Sequence, residues 1–88
     1  MLEPLGNLIR RWNADPRPAT TLALCQALAE AGEQHRAAPP ADWPQFVQVC
    51  ADVGRIVGDR FALDLDVLLA AGRMHLAAGA TWDAQSVV

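Results

Sequence analysis

LLAAGRMHLAA, residues 68–78, repeats a phrase that the chain has already used forty residues earlier as LAEAGEQHRAA, residues 28–38. Both read Leu, two residues, Ala-Gly, two residues, His, one residue, Ala-Ala, and they contain the chain's two histidines. Alanine and leucine at this density favour helix. The Leu, Gly and His of each copy stand at i, i+4 and i+7, which is one face of a helix. The phrase therefore predicts two helices, each with a small residue where a neighbouring backbone can come close. Ala-Ala matches are cheap in so alanine-rich a chain, so true repetition and chance similarity of two helices are both compatible with it.

The surroundings of each copy set the corners. Before the first, NADPRP (13–18) combines turn formers with Pro16 and Pro18, which cannot continue a helix. This corner separates a short helix over residues 4–13, striped by Leu5, Leu8, Ile9 and Trp12, from a second helix running from Pro18 or Ala19 to about Arg36. Leu22, Cys25, Leu28 and Ala29 are expected to form the buried stripe of that second helix, with Ala31 or Gly32 at its edge. After the first copy, Pro39 and Pro40 end any helix, and Asp42 stands where an N-cap would open a third, with Trp43 and Pro44 in its first turn. Phe46, Val47, Val49, Cys50, Val53, Ile56 and Val57 give this third helix an apolar face more than half its circumference wide. Gly58 and Asp59 are expected to interrupt it. A fourth helix follows from about Arg60 to Ala78, with Phe61, Leu65, Leu68, Leu69, Gly72 and Leu76 inward. Gly79 begins a turn, and WDAQSVV (82–88) starts a fifth helix that stops almost at once.

These elements make one all-α domain over residues 1–88, with four to five helices as a small stack of antiparallel helical hairpins. Eighty-eight residues bury only about 60–65% of their unfolded surface, yet 52% of them are hydrophobic and 19% charged. More apolar side chain is present than so small a body hides. The net charge is −3, all seven basic residues are arginine, and Arg10–Arg11 is the one adjacent pair. That is not the basic footprint of a nucleic-acid binder. No apolar run reaches the roughly 18 residues that span a bilayer, and the start, MLEPLGNLIRRW, lacks the long apolar core of a secretory signal. The expectation is a cytoplasmic protein with no membrane partner, whose Cys25 and Cys50 are reduced and buried.

Residues 68–88 resemble the first two thirds of a tetratricopeptide motif, in which a large residue, a small pair, an aromatic, a turn glycine and a second-helix alanine recur. Leu68 stands at the large position, Ala71 and Gly72 at the small pair, His75 at the aromatic position, Gly79 at the turn and Ala84 in the second helix. Leu28, Ala31, Gly32 and His35 match more faintly, because Pro39 and Pro40 follow where the motif turns on glycine. The resemblance implies close helix–helix packing and a fold of the kind found in small bacterial secretion chaperones and adaptors. A stack of about two hairpins is short of the three or more that such arrays need without a capping partner.

Chemistry finds little support. The spacings among Cys25, His35, Cys50 and His75 fit no closed zinc site of short ligand pairs. A thiolate is disfavoured inside an apolar helix, and His35 and His75 read as half-buried packing residues. Asp64 and Asp66, at i and i+2, point apart on a helix and suit its N-terminal dipole. Gly54 and Gly58 lack the Lys-Ser or Lys-Thr of a phosphate loop. No cofactor, metal or enzyme activity is expected. The function expected is a non-catalytic interaction module, an adaptor, chaperone or stabilising subunit, that binds another protein chain in a hetero-complex or a homo-oligomer. The alternative is an accessory, regulatory or docking domain of an enzyme complex. Trp43, Phe46, Trp82, Val87 and Val88 are the expected partner-binding residues, since tryptophan is enriched at binding hot spots.

Overall fold

Proline and aspartate place the corners of this molecule, and apolar spacing decides what lies between them. The computed structural model describes residues 1–79. A 3-10 turn, Glu3–Leu5, leads into α1, Gly6–Ala14. After three intervening residues Pro18 opens α2, Pro18–His35, at a position where its missing N–H is no loss. The Thr20 hydroxyl secures this corner, accepting from the Arg17 N–H at 3.0 Å and donating to the Asp15 carbonyl at 2.7 Å. Beyond the proline corner come α3, Trp43–Arg60, and α4, Leu65–Ala77. No strand occurs among the described residues.

Asp42 stands at the head of α3 as expected, but its carboxylate makes no cap bond there. It accepts instead from the Leu2 N–H at 2.9 Å and so ties the start of the chain to the third helix. That hydrogen bond is the first cause of the lowered pKa of Asp42.

The break after α3 differs from expectation. Gly58 and Asp59 do not interrupt the helix, which continues through both to Arg60. A glycine in a helix costs about 1 kcal/mol relative to alanine, less than the burial of neighbouring Val57, which is 2% exposed. The chain turns at Phe61–Asp64 instead. The Phe61 N–H closes α3 on the Val57 carbonyl at 2.8 Å, and the Asp64 carboxylate caps α4 by accepting from the Val67 N–H at 3.2 Å. The fourth helix therefore starts at Leu65 rather than Arg60. At its far end Gly79 takes the left-handed conformation expected of a turn glycine, with φ +67°.

The core runs through all four helices. Leu5 and Trp12 come from the N-terminal segment, Leu24, Cys25, Leu28 and Ala29 from α2, and Phe46, Cys50, Val53 and Val57 from α3. Val67, Ala70, Ala71, Met74 and Ala77 come from α4. Each large side chain buried here contributes roughly 1.5–3 kcal/mol over leaving it in water. One polar pair crosses the core: the Trp12 indole N–H donates to the Thr21 hydroxyl at 2.9 Å. It joins α1 to α2 and satisfies two groups that would otherwise be buried without partners.

Helices α2 and α4 share the largest contact of the fold. Pro18 borders Asp64–Asp66 at one end and Gly32 meets Ala77 at the other, so the two helices run in the same direction. Their crossing is tight. A Cβ on Gly32 would lie 2.9 Å from the Ala77 Cβ and 3.0 Å from its carbonyl carbon and oxygen. Helix α3 packs on both. The assembly measures 35 × 34 × 16 Å in principal extent. In a slab this thin every helix keeps one face in water.

Candidate interaction surface

Helix α4 carries two apolar stripes, and the structure buries the one built of smaller side chains. Val67, Ala70, Ala71, Met74 and Ala77 face α2 and α3. The face expected to point inward points out. Leu65 is 67% exposed, Leu68 38%, Leu69 64% and Leu76 72%, and Leu63 in the preceding corner is fully exposed. Gly72, on the same face, has no heavy atom within 4 Å of where its Cβ would be. The physical reason lies in the α2 crossing. Where the Gly32 backbone meets Ala77 there is no room for a leucine, whereas alanine permits the approach. Phe61, the remaining residue expected inward, is half-buried beside the core.

The exposed residues stand at i, i+3, i+4, i+7 and i+11 along α4, one continuous stripe on a 3.6-residue helix. Single exposed leucines are ordinary on soluble proteins, but a contiguous apolar patch marks a binding surface. A charged edge runs along one side, where Asp66 and Arg73 are both exposed and seven residues apart. Arg73 is held in place by a two-pronged ion pair with Glu33 of α2, Nε to Oε2 at 3.0 Å and Nη2 to Oε1 at 2.7 Å. The guanidinium lowers the pKa of Glu33, and the carboxylate raises that of Arg73. Exposed pairs of this kind add little to stability. Their consequence here is position, since the guanidinium is fixed beside the leucines.

The residues expected to bind a partner fall elsewhere. Phe46 has no exposed surface and belongs to the core, and Trp43 is half-buried against it with ring centroids 5.0 Å apart. Trp82, Val87 and Val88, with the expected fifth helix, lie outside the described residues. The signal that locates the exposed stripe was present in the sequence. Residues 67, 70, 71, 74 and 77 form a second helical stripe, and one helix of a small domain cannot bury both.

Both histidines are half-buried, as expected. His75 lies against α3 at a glycine notch, for a Cβ on Gly54 would fall 2.1 Å from its Nε2. Cys25 and Cys50 are buried, unlinked thiols. Desolvation pushes their pKa values up to about 11 and about 12, with the proximity of Cys25 adding to the shift at Cys50. Neither is a thiolate near neutral pH, and neither suits nucleophilic attack. A shallow depression between the start of α2 and the α3–α4 corner is lined by Pro18, Asp59 to Phe61 and Asp64 to Asp66. The Asp64 carboxylate there is occupied in capping α4. Among the described residues no cluster of three or more His, Cys, Asp or Glu could hold a metal ion, and no helix is long and apolar enough to cross a membrane. No protein-family model, no curated protein and no solved structure matches this chain.

Proposed function

We propose that this protein is a non-catalytic interaction module that acts by burying the outer leucine face of α4 against another protein chain. The observation that carries this reading is the run of Leu65, Leu68, Leu69 and Leu76, with Leu63 beside it, left in water on one side of a helix whose other side is fully packed. A helix face of this kind is what groove-binding and helix-pairing partners use, with anchors at i, i+3, i+4 and i+7. On this reading the four helices form a short stack of hairpins of tetratricopeptide type, working in the cytoplasm as an adaptor, chaperone or stabilising subunit. The same-direction course of α2 and α4, with α3 packed on both, supports such a stack. The buried thiols of Cys25 and Cys50 and the packing role of His75 support the absence of catalysis.

The test is affinity capture of the tagged full chain from its native cells beside the triple variant Leu65→Gln, Leu69→Gln, Leu76→Gln. These three side chains are largely exposed, so helix content and melting temperature stay near those of the parent. The expected result is a stoichiometric protein companion, a second copy of the chain included, that the parent retains and the variant loses. Equal retention by both would refute the reading.

A further inference from the structure

We propose that the partner of the α4 face is a second copy of this chain, docked antiparallel about a two-fold axis midway between Ala70 and Ala71. The inference rests on the reading of that face as an interaction surface and names its occupant. A two-fold interface must be self-complementary, because each residue meets its counterpart's surroundings in mirror order along the helix. The α4 face meets this condition in size and in charge.

About that axis Leu65 stands opposite the partner's Leu76, and Leu69 stands opposite the partner's Gly72. The central pair sets the largest side chain of the stripe against its one vacancy, twice. Gly72 has no described residue outside its own helix within 4 Å of its missing Cβ, so nothing among the described residues requires glycine there. In the middle of a helix glycine is a poorer choice than alanine. A leucine arriving from the opposite helix explains it. The rim agrees: Asp66 and Arg73 lie on the same flank of α4, and in an antiparallel pair like flanks meet. Asp66 then falls within about 3 Å, measured along the axis, of the partner's Arg73, given a rise of about 1.5 Å per residue. Glu33 engages Nε and Nη2 of that arginine, which leaves Nη1 directed to other acceptors. A parallel pair would instead carry the Asp66–Arg73 flanks of the two copies to opposite sides of the interface and leave both Gly72 notches facing each other unfilled.

The area also suits a dimer. The five leucines together expose on the order of 600 Å² per copy, and a standard protein–protein interface buries about 800 Å² per partner. The flanking residues of α4 and the preceding corner supply the difference. The contact is then a modest one, with dissociation expected near the micromolar range.

Sedimentation equilibrium on the purified full chain is the first test. The expected mass is about 19 kDa, twice the 9.5 kDa of one chain, falling towards 9.5 kDa on dilution. Leu69→Gln should raise the dissociation constant about a hundredfold, and Gly72→Ala about tenfold, while both fold normally. Register is read separately by mixing Leu65→Cys chains with Leu76→Cys chains under oxidation. A disulfide-linked dimer should form in the mixture and not from either variant alone, because like positions lie about 16 Å apart across the axis. A monomer at all concentrations would overturn the proposal, as would a dimer that Leu69→Gln and Gly72→Ala leave intact. Cross-linking of Leu65→Cys with itself would do the same, by indicating a parallel pair. A monomer whose leucines are nevertheless needed to retain a different protein would refute the second copy and leave the proposed function standing. If capture also fails, both fall.

Discussion

Gly32 and Gly72 occupy the same place in the same phrase, forty residues apart, and the structure uses them in opposite ways. Gly32 is buried where α2 crosses α4, and an added methyl would meet Ala77 side chain and backbone at about contact-breaking distance, 2.9–3.0 Å. Gly72 is exposed, and an added methyl would meet no described residue outside its own helix within 4 Å. The two copies of the phrase are partners of one another, since Ala77 of the second packs on Gly32 of the first and Arg73 of the second pairs with Glu33 of the first. What was copied, or coincides, is a helix able to be approached closely on its glycine face. In α2 that face is used inside the fold, and in α4 it is exposed.

Substitutions that exchange the demands on the two sites sharpen this contrast, and the largest effect belongs to the buried one. Gly32→Val forces two branched methyls into the α2–α4 crossing, where Ala77 backbone cannot yield. It should cost about 3 kcal/mol or more and lower the urea midpoint accordingly. If Gly32→Val unfolds no more easily than the parent, the crossing is looser than described. Gly54→Ala is next. Its methyl collides with the His75 ring, a side chain that can rotate away, so about 1–2 kcal/mol is expected. In a double-mutant cycle, most of that cost should vanish in a His75→Ala background. An additive cycle would mean that the notch and the ring do not depend on each other.

At the exposed site the sign reverses. Gly72→Ala should stabilise the monomer by about 0.5–1 kcal/mol, measured by denaturation at concentrations low enough to keep the chain dissociated. The same change weakens the pairing proposed above, so stability and association move in opposite directions. A uniformly destabilising Gly72→Ala would mean that the site is already packed. Smallest is the link between the two copies through Glu33 and Arg73. Hydrogen bonding to Arg73 lowers the pKa of Glu33 in the folded chain. Its contribution is therefore present above the ordinary carboxylate range of the unfolded chain and is lost as pH falls through the depressed folded value. Arg73→Gln should remove that small acid-sensitive component from a stability profile between about pH 5 and 3 and leave the neutral-pH melting temperature almost unchanged. An identical acid limb in parent and variant would show that the pair contributes nothing.

Much of the fold was legible from residue order. Pro16 and Pro18, then Pro39 and Pro40, mark corners that the structure keeps, and Gly79 turns in the left-handed conformation its position suggests. Cys25, Leu28, Ala29 and Gly32 of α2 and Phe46, Cys50, Val53 and Val57 of α3 are buried as read, while Leu22, Val47, Val49 and Ile56 are only partly buried. Leu24 and Thr21 joined the buried set of α2, Thr21 because it satisfies the Trp12 indole. The third corner was misplaced because Gly58 and Asp59 look like a break only when the pull of Val57 on the core is ignored. The surface was misread for a related reason. A stripe of leucines outweighs a stripe of alanines in any count of hydrophobicity, so the leucines were assigned to the core.

The sequence by itself determined the two proline corners, the Gly79 turn and the excess of apolar residues, since proline geometry and 3.6-residue spacing act within a few residues of chain. Which side of α4 faces the core was decided only when α2 and α4 met. There the Gly32 backbone came within contact of Ala77, and at that separation alanine fits and leucine does not. Packing at close range selects by volume rather than by hydrophobicity, and no local pattern states how close two distant helices will come.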